Sequence, residues 1–255
     1  MENLFDRARS ILTDAACVEV FTGAGMSADS GIATYRDAQT GIWENVDPVA
    51  MASISAWRSD PEPMFAWYLW RAQLVQQAEP NAGHRAIAAA HGVTVTTQNI
   101  DNLHERAGSE GVVHLHGSLF SFRCADCETP YDGDIALPAT PVESITPPEC
   151  PVCGGLVRPG VVWFGEVLPN DEWTEAERRM STADALLIVG TSGVVYPAAG
   201  LPQLAHARGI PIVEVTPQPT DLSPLATVVV TATAAQALPR ILAGRITSDS
   251  APAGA

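Results

Sequence analysis

Four cysteines in two pairs carry the plainest chemistry in the chain, Cys124-x-x-Cys127 and Cys150-x-x-Cys153, with 22 residues between the pairs. Two such knuckles deliver four thiolates, which suits tetrahedral zinc. Because protein supplies every ligand, no position stays open for a substrate. The metal is therefore expected to be structural. Four buried thiols are the plainer alternative, but Pro and Gly surround these cysteines and no hydrophobic period runs through them. The fifth, Cys17, stands alone beside an apolar run and reads as a core residue.

A second group follows Val18-Glu19-Val20-Phe21-Thr22, a run that reads as a strand. Gly23, Gly25 and Ala28 then fit the spacing of a dinucleotide loop. The first Gly turns sharply, the second lets a pyrophosphate approach the backbone, and the small third residue packs closely. An ordinary Gly-rich turn has the same look. Ser27 to Asp37 is polar, contains Gly31 and carries Tyr35, Arg36 and Asp37 together, so it reads as a loop over a cofactor rather than a long helix.

His116 ends a run, Val112 to His116, beside Gly117-Ser118, where an imidazole could serve as a base. His114 competes for that role, and spacing alone does not choose between them. Gln98, Asn99 and Asp101 offer amide and carboxylate groups, although helix capping explains Asn99 or Asp101 equally well. No Ser-His-Asp elbow and no Gly-x-x-x-x-Gly-Lys loop occurs. The chain contains no Lys at all, so its 14 basic residues are all Arg.

The elements that must position these groups alternate. Leu4, Phe5, Ala8, Ile11 and Leu12 repeat at helical spacing. Helices are expected over 63–77, 84–91, 171–180 (capped by Asn170), 197–208 and 233–242. Strands are expected over 18–22, 93–97, 112–116, 185–189, 211–215 and 226–230. This alternation implies a doubly wound parallel α/β sheet, with ligands bound beyond the carboxyl ends of its strands. Residues 119–158 break the pattern with four Cys and several Pro, and read as an inserted module. The expected organisation is a main domain of 1–118 and 159–245, a small module of 119–158, and a disordered tail over 246–255.

The chain has 255 residues, 46% of them hydrophobic, enough for a sizeable core. Its net charge of −15 argues against non-specific nucleic-acid or anionic-membrane binding and is compatible with basic protein partners. No long apolar run or basic leader is present, so a cytoplasmic location is expected.

Taken together, the motifs resemble the sirtuins, the NAD-dependent protein deacylases. The likeness runs from Val18 to about Pro239. It is carried by Gly23-Ala24-Gly25-x-Ser27 through Tyr35-Arg36-Asp37, Thr97 to His104, His116-Gly117-Ser118, the four cysteines, Val161 to Glu166, and Gly190-Thr191-Ser192. The resemblance implies a Rossmann-type domain with a small zinc ribbon, and NAD with an acyl-lysine in the cleft between them. It implies NAD contacts from Gly23, Ala24, Gly25, Ser27, Ala28, Asp29, Thr34, Tyr35 and Arg36. Further contacts would come from Gln98, Asn99, Ile100, Asp101, Gly190, Thr191, Ser192, Thr216 and Ala234. It makes His116 the base, with Asn99 and Asp101 beside it. His116 would take a ribose hydroxyl proton after the acyl oxygen has displaced nicotinamide, and the products would be free lysine, nicotinamide and O-acyl-ADP-ribose.

Peptide substrate would pair by main chain between Val162, Phe164, Gly165 and Glu166 on one side and Gly193 to Tyr196, including Val195, on the other. Two departures concern the adenosine side: Thr216 stands where the family often has Asn, and a common Gly is replaced near Ala232. Tyr68-x-x-Arg71, with Ala52 upstream, resembles the subclass that removes succinyl, malonyl or glutaryl groups; a core Tyr and a solvated Arg would look the same. A mono-ADP-ribosyltransferase and a non-enzymatic NAD-sensing module remain the rival functions.

Overall fold

Val18–Thr22, β-branched and aromatic but for Glu19, and the fully apolar run Ala185–Val189 lie side by side in a parallel sheet, every residue of both buried. The structure is a computed structural model and describes residues 3–32 and 51–246. In chain order its elements begin with α1 (Leu4–Asp14), β1 (Val18–Thr22), α2 (Gly25–Ala28), α3 (Ile54–Ser59), α4 (Pro61–Gln77) and α5 (Ala82–Ala89). Then come β2 (Val93–Thr97), α6 (Leu103–Ala107), β3 (Val113–His114), β4 (Gly117–Cys124), β5 (Val157–Val161) and α7 (Asn170–Thr182). The chain continues through β6 (Ala185–Val189), α8 (Pro202–Ala207), β7 (Ile212–Thr216), β8 (Val228–Thr231) and α9 (Ala234–Ile241).

The six-stranded sheet has the order β3-β2-β1-β6-β7-β8, with each neighbouring pair parallel. From β1 the chain runs outward through β2 and β3, then returns to β6 and runs out the other way. The switch point therefore lies between β1 and β6, where open α/β sheets bind ligands. Helices cover both faces. Ala8 and Leu12 of α1, Ile87 of α5 and Leu238 of α9 pack on one. Ala176 and Met180 of α7 and Ala205 of α8 pack on the other. Of these, the Leu, Ile and Met side chains each contribute roughly 1.5–3 kcal/mol when fully buried. Arg245 closes the edge of this assembly: its guanidinium donates to the carbonyls of Leu12, Ala15, Ala16, His91 and Gly92.

β4 and β5 form a separate antiparallel ribbon, with an irregularity between Ser118 and Phe122. All four metal-type cysteines lie in its outer end. A third core joins the ribbon to the rest: Trp57 of α3 and Phe65, Trp67, Tyr68 and Leu69 of α4 pack with Val161 and Trp163. Buried residues lie nearly all round α4, so its pattern is less periodic than that of a surface helix.

Several expectations need correction. Cys17 is exposed, not core, because it precedes β1 at the sheet's rim. Ser27 and Ala28 close one helical turn, so the loop reading fails for that part of the Ser27–Asp37 stretch, whose remainder beyond Ile32 lies outside the described residues. β3 holds only Val113 and His114. Gly117 turns the chain at φ 72°, and a Cβ there would lie 2.0 Å from the Gly160 carbonyl oxygen. Pro61, not Pro63, opens α4. The helix expected over 197–208 is divided: a 3₁₀ turn at 198–200 precedes α8, which begins at Pro202. Asn170 is the first residue of α7 and caps nothing by its side chain; Pro169 holds the cap position.

Candidate active site

The loops after β1 and β6 cross at the switch point. The Gly23 N–H bonds the Val189 carbonyl (3.0 Å) and the Gly25 N–H bonds the Gly190 carbonyl (2.8 Å). The approach tolerates only glycine: a Cβ on Gly190, at φ 61°, would lie 2.4 Å from the Gly25 carbonyl carbon. The N–H groups of Ala24 and Ser192 meet no acceptor among the described residues. Backbone donors left without an internal acceptor at strand ends suit the phosphates of a dinucleotide. Asp29 accepts from the Ala235 N–H (3.0 Å) and so tethers the loop to α9, where Ala234 packs against Gly83. Thr34, Tyr35 and Arg36 lie outside the described residues.

The loop after β2 enters the same space. The Gln98 side chain donates to Thr191 Oγ1 (2.8 Å). Ser27 Oγ accepts from Asn99 Nδ2 (3.2 Å) and donates to Asp101 Oδ2 (2.8 Å). Asp101 Oδ1 also accepts the Leu103 N–H (3.1 Å); the N-cap of α6 is Asn102, so neither Asn99 nor Asp101 holds the capping position. Burial raises the Asp101 carboxyl despite these two donors. The Ile100 carbonyl accepts from Leu119, joining this loop to the ribbon. Thr216 donates its hydroxyl to the Gln218 carbonyl (2.7 Å), leaving only lone pairs to offer a ligand.

The two histidines, inseparable by spacing, differ chemically. His116 Nδ1 lies 2.9 Å from the Gln98 carbonyl, an acceptor only, so Nδ1 carries the proton and Nε2 is a lone pair. Burial holds its pKa below the ordinary value, against the Gln98 carbonyl, so the imidazole is neutral near pH 7. That is the form a general base needs. His114 meets acceptors on both nitrogens, the Asn99 carbonyl (2.9 Å) and Glu105 Oε1 (2.7 Å). Burial pulls its pKa down, but the Glu105 carboxylate more than compensates, and the pKa is raised. His114 is thus an ion-paired imidazolium with no lone pair to accept a proton.

Across from His116, residues 162–166 form a wall. The Val162 N–H bonds the His116 carbonyl (2.9 Å). Phe164 pairs with the Ala52–Ile54 segment, donating to the Ala52 carbonyl (2.7 Å) and accepting from the Ile54 N–H (3.2 Å). These bonds occupy both main-chain groups of Phe164 inside the fold. Main-chain pairing with a peptide is therefore narrowed to its neighbours, Gly165 among them. Opposite, the Val195 carbonyl accepts from Ala199. Phe164, Val167, Val194 and Tyr196 are exposed apolar side chains near the opening. Tyr68 is buried against Trp163, ring centroids 5.8 Å apart, in one cluster with Ala52. Arg71, half-buried one turn on, has its guanidinium 5.0 Å from the Trp67 ring.

Nothing in the sequence singles out Arg158 of β5, whose eight-residue separation from Glu166 signals no pairing. Its guanidinium meets the Glu166 carboxylate with two bonds (2.5 and 2.8 Å) and stacks 3.3 Å from the Trp163 ring centre. The Trp163 N–H also donates to Glu166 (2.8 Å), so Glu166 anchors the wall. Burial pushes the Glu166 carboxyl up, but these donors hold it below its ordinary value. On Arg158 burial prevails and lowers the guanidinium, which stays charged because its ordinary value is so high. Arg158→Met, which orphans the carboxylate, is expected to destabilise the protein by about 3–5 kcal/mol. Adding Glu166→Gln should recover most of the loss. Denaturant unfolding checks this; equal losses in the single and double variants would assign the effect to packing on Trp163.

The four cysteine sulfurs lie within 4.8 Å of one another, Cys124 to Cys153 at 3.4 Å and Cys127 to Cys150 at 3.8 Å. Tetrahedral zinc at about 2.3 Å from each sulfur sets neighbouring sulfurs about 3.8 Å apart, so the donor set fits that ion. No helix among the described residues is long and apolar enough to cross a membrane.

A doubly wound sheet, a phosphate-type loop at its switch point, a neutral imidazole beside it and a four-thiolate ribbon define a dinucleotide-dependent enzyme with a structural metal. The chain belongs to the Sir2 family, which it matches over residues 23–197. It is 59% identical over 250 residues to an NAD-dependent protein deacylase of Corynebacterium glutamicum, covering 96% of this chain and 97% of that one. It is 52% identical over 228 residues to the NAD-dependent protein deacylase Sir2 of Mycolicibacterium smegmatis, covering 88% and 95%. The crystal structure of a Sir2 homolog–NAD complex superposes with a TM-score of 0.85 at 39% identity, over 93% of this chain and 92% of that one. A Sir2 variant solved with a deacetylated p53 peptide and 3′-O-acetyl-ADP-ribose gives 0.80 at 30%, over 95% and 99%.

Proposed function

We propose that the chain is an NAD-dependent protein-lysine deacylase that prefers acidic acyl groups, with nicotinamide and O-acyl-ADP-ribose as products. The observation that carries the reading is the neutral His116, its Nε2 lone pair unused beside the Gln98–Asp101 loop at the switch point. NAD, when bound, supplies an electrophilic ribose carbon and nicotinamide as leaving group. The backbone donors of Ala24 and Ser192 hold its phosphates. Asn99, oriented by Ser27, and Asp101 hold the nicotinamide ribose. His116 Nε2 accepts the ribose hydroxyl proton. The wall from Val162 to Glu166 orients the acyl-lysine and excludes water. Cys124, Cys127, Cys150 and Cys153 hold zinc, which carries no step of the reaction.

The acyl preference rests on α4. A succinyl group ends in a carboxylate, which a guanidinium can meet with two parallel bonds. Arg71 supplies the guanidinium and Tyr68 a hydroxyl, while Ala52 leaves room. Hydrogen bonds to charged groups contribute about 1.5–3 kcal/mol, roughly a 10- to 100-fold preference. The test incubates NAD with acetyl- and succinyl-lysine peptides and identifies products by mass. Arg71→Met should lose desuccinylation by about that factor and keep deacetylation. Equal losses on both substrates would refute the acyl preference, and ADP-ribosylated protein in place of O-acyl-ADP-ribose would refute the deacylase reading.

A further inference from the structure

Beneath the candidate site lie two histidines that the proposed chemistry does not use. His84 of α5 and His104 of α6 are fully buried, their rings 4.9 Å apart and inclined at 67°. Burial, reinforced by Arg85, lowers His84 to about 4. Burial, reinforced chiefly by His84, lowers His104 to about 3, so each ring carries a single proton near neutral pH.

Their partners fix where it sits. The Asn81 N–H donates to His84 Nδ1 (3.3 Å), so the His84 proton is on Nε2. Thr22 donates its hydroxyl to Thr97 Oγ1 (2.8 Å) and so accepts from His104 Nε2 (3.1 Å). That puts the His104 proton on Nε2 and leaves Nδ1 a lone pair. His84 Nε2–H and His104 Nδ1, a donor and an acceptor, are both buried and have no hydrogen-bond partner. Such groups are costly when unsatisfied. One water that accepts from one nitrogen and donates to the other, at about 3 Å each, can span an N···N separation of up to about 6 Å.

We propose that one buried water accepts from His84 Nε2 and donates to His104 Nδ1, closing a ring of hydrogen bonds that fixes the root of the cofactor loop against Asn99. The ring starts at Ser27, passes through Asn99 to Thr97 Oγ1 (3.0 Å) and then to Thr22 and His104. Beyond the water it continues through His84 to Asn81, whose Nδ2 returns to the Met26 carbonyl (2.9 Å) and Ser30 Oγ (3.1 Å). It therefore begins and ends on the α2 turn. The positioning role rests on reading that turn and Asn99 as NAD-binding; the water does not.

Two measurements test the two parts. In the ¹⁵N-labelled protein, the His84 Nε2-bound proton should show a rotating-frame cross-peak to a long-lived water; no such cross-peak, with the tautomers confirmed, overturns the bridge whether or not NAD binds. His84→Phe and His104→Phe should each raise KM for NAD roughly two- to tenfold, leaving KM for the acyl peptide unchanged. The double variant should be no worse than the worse single one. Effects that multiply would mean that the two rings act independently, which overturns the positioning role. A protein that does not use NAD at all would refute the functional reading while the spectroscopic test still stands.

Discussion

His116→Ala is expected to lower kcat by about 10²–10⁴-fold, the usual contribution of a positioned base, while NAD still binds. His114→Ala is expected to have a smaller effect, because it removes an ion-paired brace on the Asn99 carbonyl rather than a proton acceptor. The pH profile gives an independent check. The folded pKa of His116 lies below its ordinary 6.5, chiefly through burial, so the fraction with a bare Nε2 falls only as pH drops beneath that value. The acid limb of kcat/KM is expected below pH 6.5, with no loss from this group above it. A limb centred higher, or a His114 variant more damaged than the His116 variant, would reassign the base.

The second large effect is metal removal. About one zinc per chain should be found, and a chelator strong enough to extract it should unfold the ribbon. Structural zinc contributes apparent binding free energies of about 10–16 kcal/mol, comparable with the whole stability of a domain. At its metal end the ribbon has only a small buried cluster, Cys124, Cys150 and Val157, with Phe122, Tyr131 and Ile135 packed against it among the described residues. Because β5 carries Arg158, unfolding should also free Glu166 and loosen the wall around Trp163, with a change in tryptophan emission alongside loss of activity. A fully active preparation without metal would contradict this account.

Much of this architecture is legible in the residues. β6 announces itself as a short, fully apolar run because both faces of a parallel sheet are covered, and β1 as a β-branched and aromatic one. The paired knuckles of Cys124, Cys127, Cys150 and Cys153 are legible because metal ligation demands residue type and spacing together. What escapes is whatever depends on three-dimensional approach. Cys17 looked buried by its neighbours, yet sits where the strand meets solvent. The difference between His114 and His116 lies in what the second ring nitrogen faces, which no local pattern encodes. Arg158 and Glu166 are eight residues apart in sequence, and their pairing follows from the irregular turn of the wall after β5. The α2 turn is legible as a Gly-rich signature but not as a helix, since Gly25 and the following small residues carry no apolar period.

The anchoring of the chain by guanidinium groups has one more consequence. Arg245 gathers five carbonyls, Arg158 clamps the wall, and Arg179 reaches the Val95 and Gly111 carbonyls. All 14 basic side chains in the 255 residues are of this kind. A guanidinium stays protonated at any physiological pH, whereas an ammonium can shed its proton and act as a nucleophile. Activated acyl donors that mark lysine on other proteins therefore find no side-chain amine on this one. None of its structural cations can be neutralised by the modification it is proposed to erase, and no molecule of it can compete as a side-chain substrate for another.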